Sequence, residues 1–299
     1  MNILSSEVQP HQAYTDFKEV RLTEKTVISA HSLEDTKNCL IVDMVVLPNC
    51  NVLVADILNQ SLKIVEAQTG QMLTHVRPSG APDSLCLLPG DRVAMTSFEK
   101  KEIQIFDVLE DQLKLLNRVN VKGHCCGLAF MNDTFVVGFM KPGRVAIISF
   151  EENVLNSVSK DNTGKSLFTC PRFICVETET NVSFIYVSDA SVKTISRLNE
   201  NLDVLQTIES PTPYAPYGLA PAGGGQVLLR EWSSNAKARL CVLDTNAMVP
   251  TVLLEDKDWD TALLFTGRVA ICPRLGRVYC NSGLLKNREL EFIHVYEIP

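Results

Sequence analysis

The sequence has no long hydrophobic run. Nothing in its 299 residues approaches the ~18 consecutive apolar residues of a membrane-spanning helix, and its first stretch, MNILSSEVQPHQAY, carries neither the basic nor the apolar region of an export signal. These absences lead us to expect a cytoplasmic protein. Positive charge is also in short supply: the formal net charge is −7, which argues against a general attraction to nucleic acid or anionic membrane. Aromatic residues make up only 7% of the chain, and helical periodicity is almost absent. Ten cysteines are present (39, 50, 86, 125, 126, 170, 175, 241, 272 and 280), yet no two are spaced C-x-x-C. Zinc-knuckle and thioredoxin-like sites are thereby excluded. Most of these cysteines sit in apolar stretches such as LCLL (85–88) and VAIC (269–272), where a reduced thiol packs as a small hydrophobe. A reducing compartment is expected.

What the sequence does have is a degenerate repeat. The segments DMVVLPNCNVLVAD (43–56), DSLCLLPGDRVAMTS (83–97) and CGLAFMNDTFVVGF (126–139) share one plan: an apolar run, a turn rich in Pro, Asn, Gly or Asp, and a second apolar run. The plan returns in 172–189, 217–231 and 267–282. Successive copies start 40 to 50 residues apart, the period of a four-stranded propeller blade. A further β-type run follows each copy, for example SLKIVE (61–66) or EIQIFDV (102–108), and several alternate apolar with polar residues as half-buried strands do. The expected architecture is an all-β, six-bladed β-propeller with blades starting near 43, 83, 126, 172, 217 and 267. The sixth copy ends with the chain after three strands, at EFIHVYEIP, so the β-competent segment 17–30 is expected to supply the missing outer strand and close the ring. Residues 17–299 then form a single domain behind a mobile tail, residues 1–16.

VADILNQSLKIV (54–65) resembles the V-A-D-x-x-N-x-x-[IL] signature of NHL-repeat propellers, with Asp56 and Asn59 on the paired positions. YVSDASVKTISRL (186–198) keeps Asp189 but has Val192 where the Asn would stand. The stretch 160–176 and the ending RVAICPRLGRVYCNS…FIHVYEI are similar to the C-terminal NHL propellers of invertebrate tripartite-motif proteins. In that family the propeller recruits substrates or binds RNA at one end of a ubiquitin ligase. The resemblance therefore implies a recognition module with a link to ubiquitin pathways, whether free-standing or part of a longer protein. It implies no ligase chemistry here, because no Cys/His set in this sequence could bind the two zinc ions of a RING.

Candidate sites were weighed against simpler roles. Asp56 and Asn59 are expected to fix a strand-to-strand turn through backbone hydrogen bonds. His124, Cys125 and Cys126 invite a metal or nucleophile, but neighbouring strand side chains point to opposite faces, and His11, His31, His75 and His294 are scattered. Asn162–Ser166 (NTGKS) ends like a phosphate loop yet lacks its first glycine, Ser159 standing there. Gly223–Gly225 reads as a hairpin turn. No metal and no cofactor is expected. The expected binding face is the one formed by loops that lead into the inner strands and join second to third strands. There Arg172, Tyr217, Arg230, Trp232 and Arg268, with Lys100 and Lys101, would anchor a protein or peptide segment, Arg, Tyr and Trp being the usual hot-spot residues. DNA and membranes are not expected partners. Two other functions remain open at this stage: an RNA-binding propeller using the same face, and a metal-dependent lactonase or lyase with a site on the axis, for which Asp43 and Asp83 near the mouth are an incomplete ligand set.

Overall fold

Short apolar strands separated by tight turns satisfy their backbone groups most simply by folding back as antiparallel hairpins. In the computed structural model, which describes residues 15–210, 212–233, 238–255, 268–281 and 291–299, they do so throughout. A first strand, β1 (Thr23–Ser29), precedes blade one: β2 (Ile41–Val46), β3 (Val52–Asp56), β4 (Ser61–Val65) and β5 (Met72–Val76). Blade two is β6 (Leu85–Leu88), β7 (Arg92–Ser97), β8 (Glu102–Leu109) and β9 (Gln112–Asn120). Blade three is β10 (His124–Met131), β11 (Thr134–Met140), β12 (Arg144–Ile148) and β13 (Val154–Val158). Blade four is β14 (Phe173–Glu179), β15 (Val182–Asp189), β16 (Thr194–Leu198) and β17 (Val204–Glu209). Blade five is β18 (Tyr214–Gly223), β19 (Gln226–Ser233), β20 (Ala238–Asp244) and β21 (Val249–Glu255). Blade six takes β22 (Val269–Cys272), β23 (Arg277–Asn281) and β24 (Phe292–Glu297) from the end of the chain and β1 from its beginning. The protein is an all-β, six-bladed propeller.

Turn chemistry explains the hairpins. Glu110-Asp111, Asn132-Asp133 and Thr180-Asn181 each place two successive residues at positive φ, between 46° and 68°. Two-residue turns of that kind match the twist of the strands they join. Burial grades outward: β3 is buried at every position, whereas four of the five residues of β13 are exposed. Each inner strand touches the next round the ring, β2 to β6 to β10 to β14 to β18 to β22 and back to β2. Between neighbouring blades lie six apolar clusters.

The ring is closed as the sequence leads one to expect. β1 pairs antiparallel with β24, with Val27 opposite His294 and Ser29 opposite Phe292. Its neighbourhood fills two of the six clusters, Phe17 and Leu22 between blades five and six, Ile28 and Ala30 between blades six and one. A 3₁₀ turn at Phe17–Glu19 orients this segment: Asp16 accepts from Lys18 N, and Gln226 both donates to Asp16 Oδ1 (2.8 Å) and accepts from Phe17 N (3.2 Å). Residues 1–14 of the expected mobile tail lie outside the described residues. Among the described residues, no helix is long and apolar enough to cross a membrane.

Candidate binding site at the mouth of the ring

The ends at which the inner strands begin surround one mouth of the axial channel. Three of those strands are irregular there, with bulges at Ile41/Asp43 in β2, Cys125/Leu128 in β10 and Pro216/Leu219 in β18. A bulge re-aims the side chains around it. Asp43 is thereby turned toward blade two, where it accepts from Ser84 Oγ (2.9 Å) and Leu85 N (2.7 Å) as well as from Met44 N (2.9 Å).

Two arginines reach across this mouth. Arg172, just before β14 of blade four, pairs with Asp83 of blade two. Arg268, just before β22 of blade six, bonds to Val42 O, stands 3.6 Å from Asp43 Oδ1 and lays its guanidinium 3.9 Å over the ring of Phe173 in blade four. Phe173 continues the contact to Tyr217 (centroids 5.6 Å apart), and Tyr217 meets Trp232 edge-on at 6.2 Å. Residues from blades four, five and six are thus one contiguous array. Burial pulls the Arg268 guanidinium down to about 10 against the pull of Asp43, and the like charge of Arg172 adds to the fall. Burial also raises the Asp43 carboxyl, outweighing Arg268 and the hydrogen bonds it accepts. Three buried donors in this array have no partner: Arg172 Nε, Arg268 Nη2 and Trp232 Nε1. Such orphans are costly in a finished interior.

The remaining residues expected on this face are placed differently. Lys100 and Lys101 are exposed on the turn between β7 and β8, with Lys101 at φ 56°. Arg230 and Arg268 are only 2% and 4% exposed, so both lie beneath the rim. Charged residues default to solvent in a sequence reading; here the blade walls enclose them. Phe173, the hub of the array, escaped notice because FICV reads as plain core.

The fold has solved counterparts. A crystal structure of RRP9 WD40 repeats matches with a TM-score of 0.63, covering 94% of this chain and 100% of that one, at 12% sequence identity. No protein-family profile and no curated protein matches the sequence. At such identity the likeness is one of fold: a propeller architecture shared with WD40 repeats. The NHL signature remains a local resemblance.

Its residues perform a definite structural task. Asp56, at the end of β3, accepts from Leu40 N (3.0 Å) and Leu58 N (3.2 Å), tying the chain that enters β2 to the turn after β3. Asn59 accepts from Thr36 N (3.1 Å) and Lys37 N (3.0 Å) and donates to Lys37 O (3.0 Å). In blade four Asp189 repeats the first part, accepting from Thr169 N and Cys170 N at 2.6 and 2.7 Å. It thereby anchors the segment that presents Arg172.

Among the described residues, the one group of three potential metal ligands with converging atoms is Asp35, Cys39 and Asp56. An ammonium already stands among them: Lys63 Nζ lies 2.7 Å from Asp35 Oδ2, 2.8 Å from Asp56 Oδ2 and 3.2 Å from Cys39 Sγ. Burial alone would raise Asp56; the hydrogen bonds from Lys63 and Asn59 outweigh it and hold the carboxyl below its usual value. On the axis, Asp43 and Asp83 are likewise engaged by arginines. His124 stacks on Phe98 (4.5 Å), while Cys125 Sγ faces Ser97 O of blade two and Cys126 Sγ faces Pro171 O beside blade four. The triplet diverges. Residues 162–166 form an exposed turn held by Asp161, which accepts from Thr163 N and Lys165 N, and Gly224-Gly225 make the turn between β18 and β19.

Proposed function

We propose that this propeller is a non-catalytic interaction scaffold that captures a protein segment at the mouth formed by Arg172, Phe173, Tyr217, Trp232 and Arg268. The observation that carries this reading is the set of unpartnered donors, Arg172 Nε, Arg268 Nη2 and Trp232 Nε1, gathered on one aromatic array. An extended segment brings carbonyl and carboxylate oxygens that would satisfy them, and desolvated Arg and Trp dominate binding energy at such sites. Lys100 and Lys101 would meet acidic residues at the rim, adding rate more than affinity. The NHL resemblance supports a finer reading, a recruiting module connected with ubiquitin pathways and working in the cytoplasm. RNA is the weaker alternative, because Asp83 pairs with Arg172 and Asp43 stands 3.6 Å from Arg268, the two arginines a phosphate chain would need.

Quantitative affinity capture with mass spectrometry, comparing wild type with R172A/W232A, tests the reading. Specific partners should fall by about tenfold or more, the effect of losing hot-spot residues, with the variant shown to be folded by circular dichroism at the temperature of capture. Undiminished capture dismisses this mouth. Single-stranded RNA should show no binding even at low salt, where phosphate contacts are strongest.

A further inference from the structure

Below the mouth, the inner strands line a cavity of about 260 Å³. Apart from Asp43, Ser84 and Arg268 at the mouth end, every side chain lining it is apolar. Each inner strand contributes an incompletely buried residue: Val45, Leu87, Phe130, Val176, Leu219 and Ile271. Leu87 is 41% exposed. The space is large enough for several waters, but a water needs two to four polar partners and this wall offers them at one end only. An apolar occupant suits it better.

The polar end specifies the head group. Arg268 spends its Nε on Val42 O, and the oxygens of Asp43 are occupied by Ser84, Leu85 and Met44, so Arg268 Nη2 is left without an acceptor. A cationic head would be repelled by Arg268, and a hydroxyl would offer its Nη2 only a neutral acceptor, the weaker kind of hydrogen bond. A planar carboxylate accepts from Arg268 Nη2 in a charge-assisted hydrogen bond.

We infer that the axial cavity binds a small monocarboxylate with an unbranched apolar chain, its carboxylate on Arg268 and its chain inside the ring of Val45, Leu87, Phe130, Val176, Leu219 and Ile271. This goes beyond protein capture at the mouth and does not depend on it.

Calorimetric titration of the full chain with butyrate, hexanoate and octanoate, and with 1-octanol and octylamine, is the test. Affinity should rise about fourfold per methylene, which is ~0.8 kcal/mol of burial converted at 1.4 kcal/mol per decade, reaching a Kd of about 1 mM or tighter for octanoate. Octanol and octylamine should bind at least about tenfold more weakly. V176W, which fills the cavity from a partly buried position away from the mouth, should lose octanoate while keeping its melting temperature and its protein capture. Leu87→Trp replaces it if V176W does not fold. Failure of wild type to bind octanoate, octanol binding as tightly, or a cavity-filled variant binding unchanged each overturns the inference. The cavity shares Arg268 with the mouth, so protein capture is read separately with no carboxylate added.

Discussion

Lys63 has no exposed side-chain surface, and its ammonium is shared by two carboxylates and a thiol. Replacing it with methionine strands Asp35 and Asp56 as buried charges, which costs about 3–5 kcal/mol when one partner of a buried pair is removed. Urea unfolding of K63M should show a loss of that size at pH 7; a loss under about 1 kcal/mol would contradict the pairing. The pH dependence has a definite sign. The folded pKa of Asp56 and of Asp35 lies below the unfolded value, so their contribution is present above pH ~4 and fades as pH falls. In K63M the stranded carboxyls gain by protonation, so the gap between wild type and variant should narrow toward pH 4. Such residues were partly legible. Asp56 and Asn59 announced a turn, but SLKIV reads as an amphipathic strand with Lys63 facing water, and only the three-dimensional convergence of residues 35, 39 and 56 shows why it is enclosed.

Blade three shows how an element positions the site. Gly138 in β11 and Gly127 in β10 press against the carbonyl of Pro171, the residue before Arg172. A Cβ at Gly138 would fall inside the Pro171 oxygen, and one at Gly127 would stand 2.8 Å from it. G138A must therefore displace the segment that carries Arg172 or distort β11, an overpacking cost of about 1–3 kcal/mol. Thermal unfolding should show the loss, and partner capture should weaken in the protein that remains folded. A variant as stable as wild type would mean that the segment is free to move. At this scale the blades were readable because apolar runs and two-residue turns dictate hairpins locally. The bulges that swing Asp43 and the Tyr217 region were not, since a bulge depends on how two strands register with one another. Likewise, the cavity ring draws one residue from each blade, and those residues share nothing in sequence beyond being apolar.

For the whole molecule, closure matters most. Six wedge-like sheets hold a common mouth only if the last packs on the first, and here β1 seals that seam while Phe17, Leu22, Ile28 and Ala30 fill the clusters on both sides of blade six. The need for a closing strand was legible from a count: six copies of the repeat, with three strands in the last. That Arg172 and Arg268 would meet at the mouth from blades four and six was not, because the distance between them along the chain says nothing about the diameter of the ring. Without β1, blade six loses its outer strand and two apolar interfaces open to water, each buried Phe or Leu being worth about 1.5–3 kcal/mol. The most direct measurement is the melting temperature of the chain lacking residues 1–30, recorded by circular dichroism beside the full chain. A fall of more than about 10 °C, or loss of the cooperative transition altogether, is expected from a closed ring. An unchanged melting temperature would contradict it, and with it the shared mouth on which the proposed binding rests.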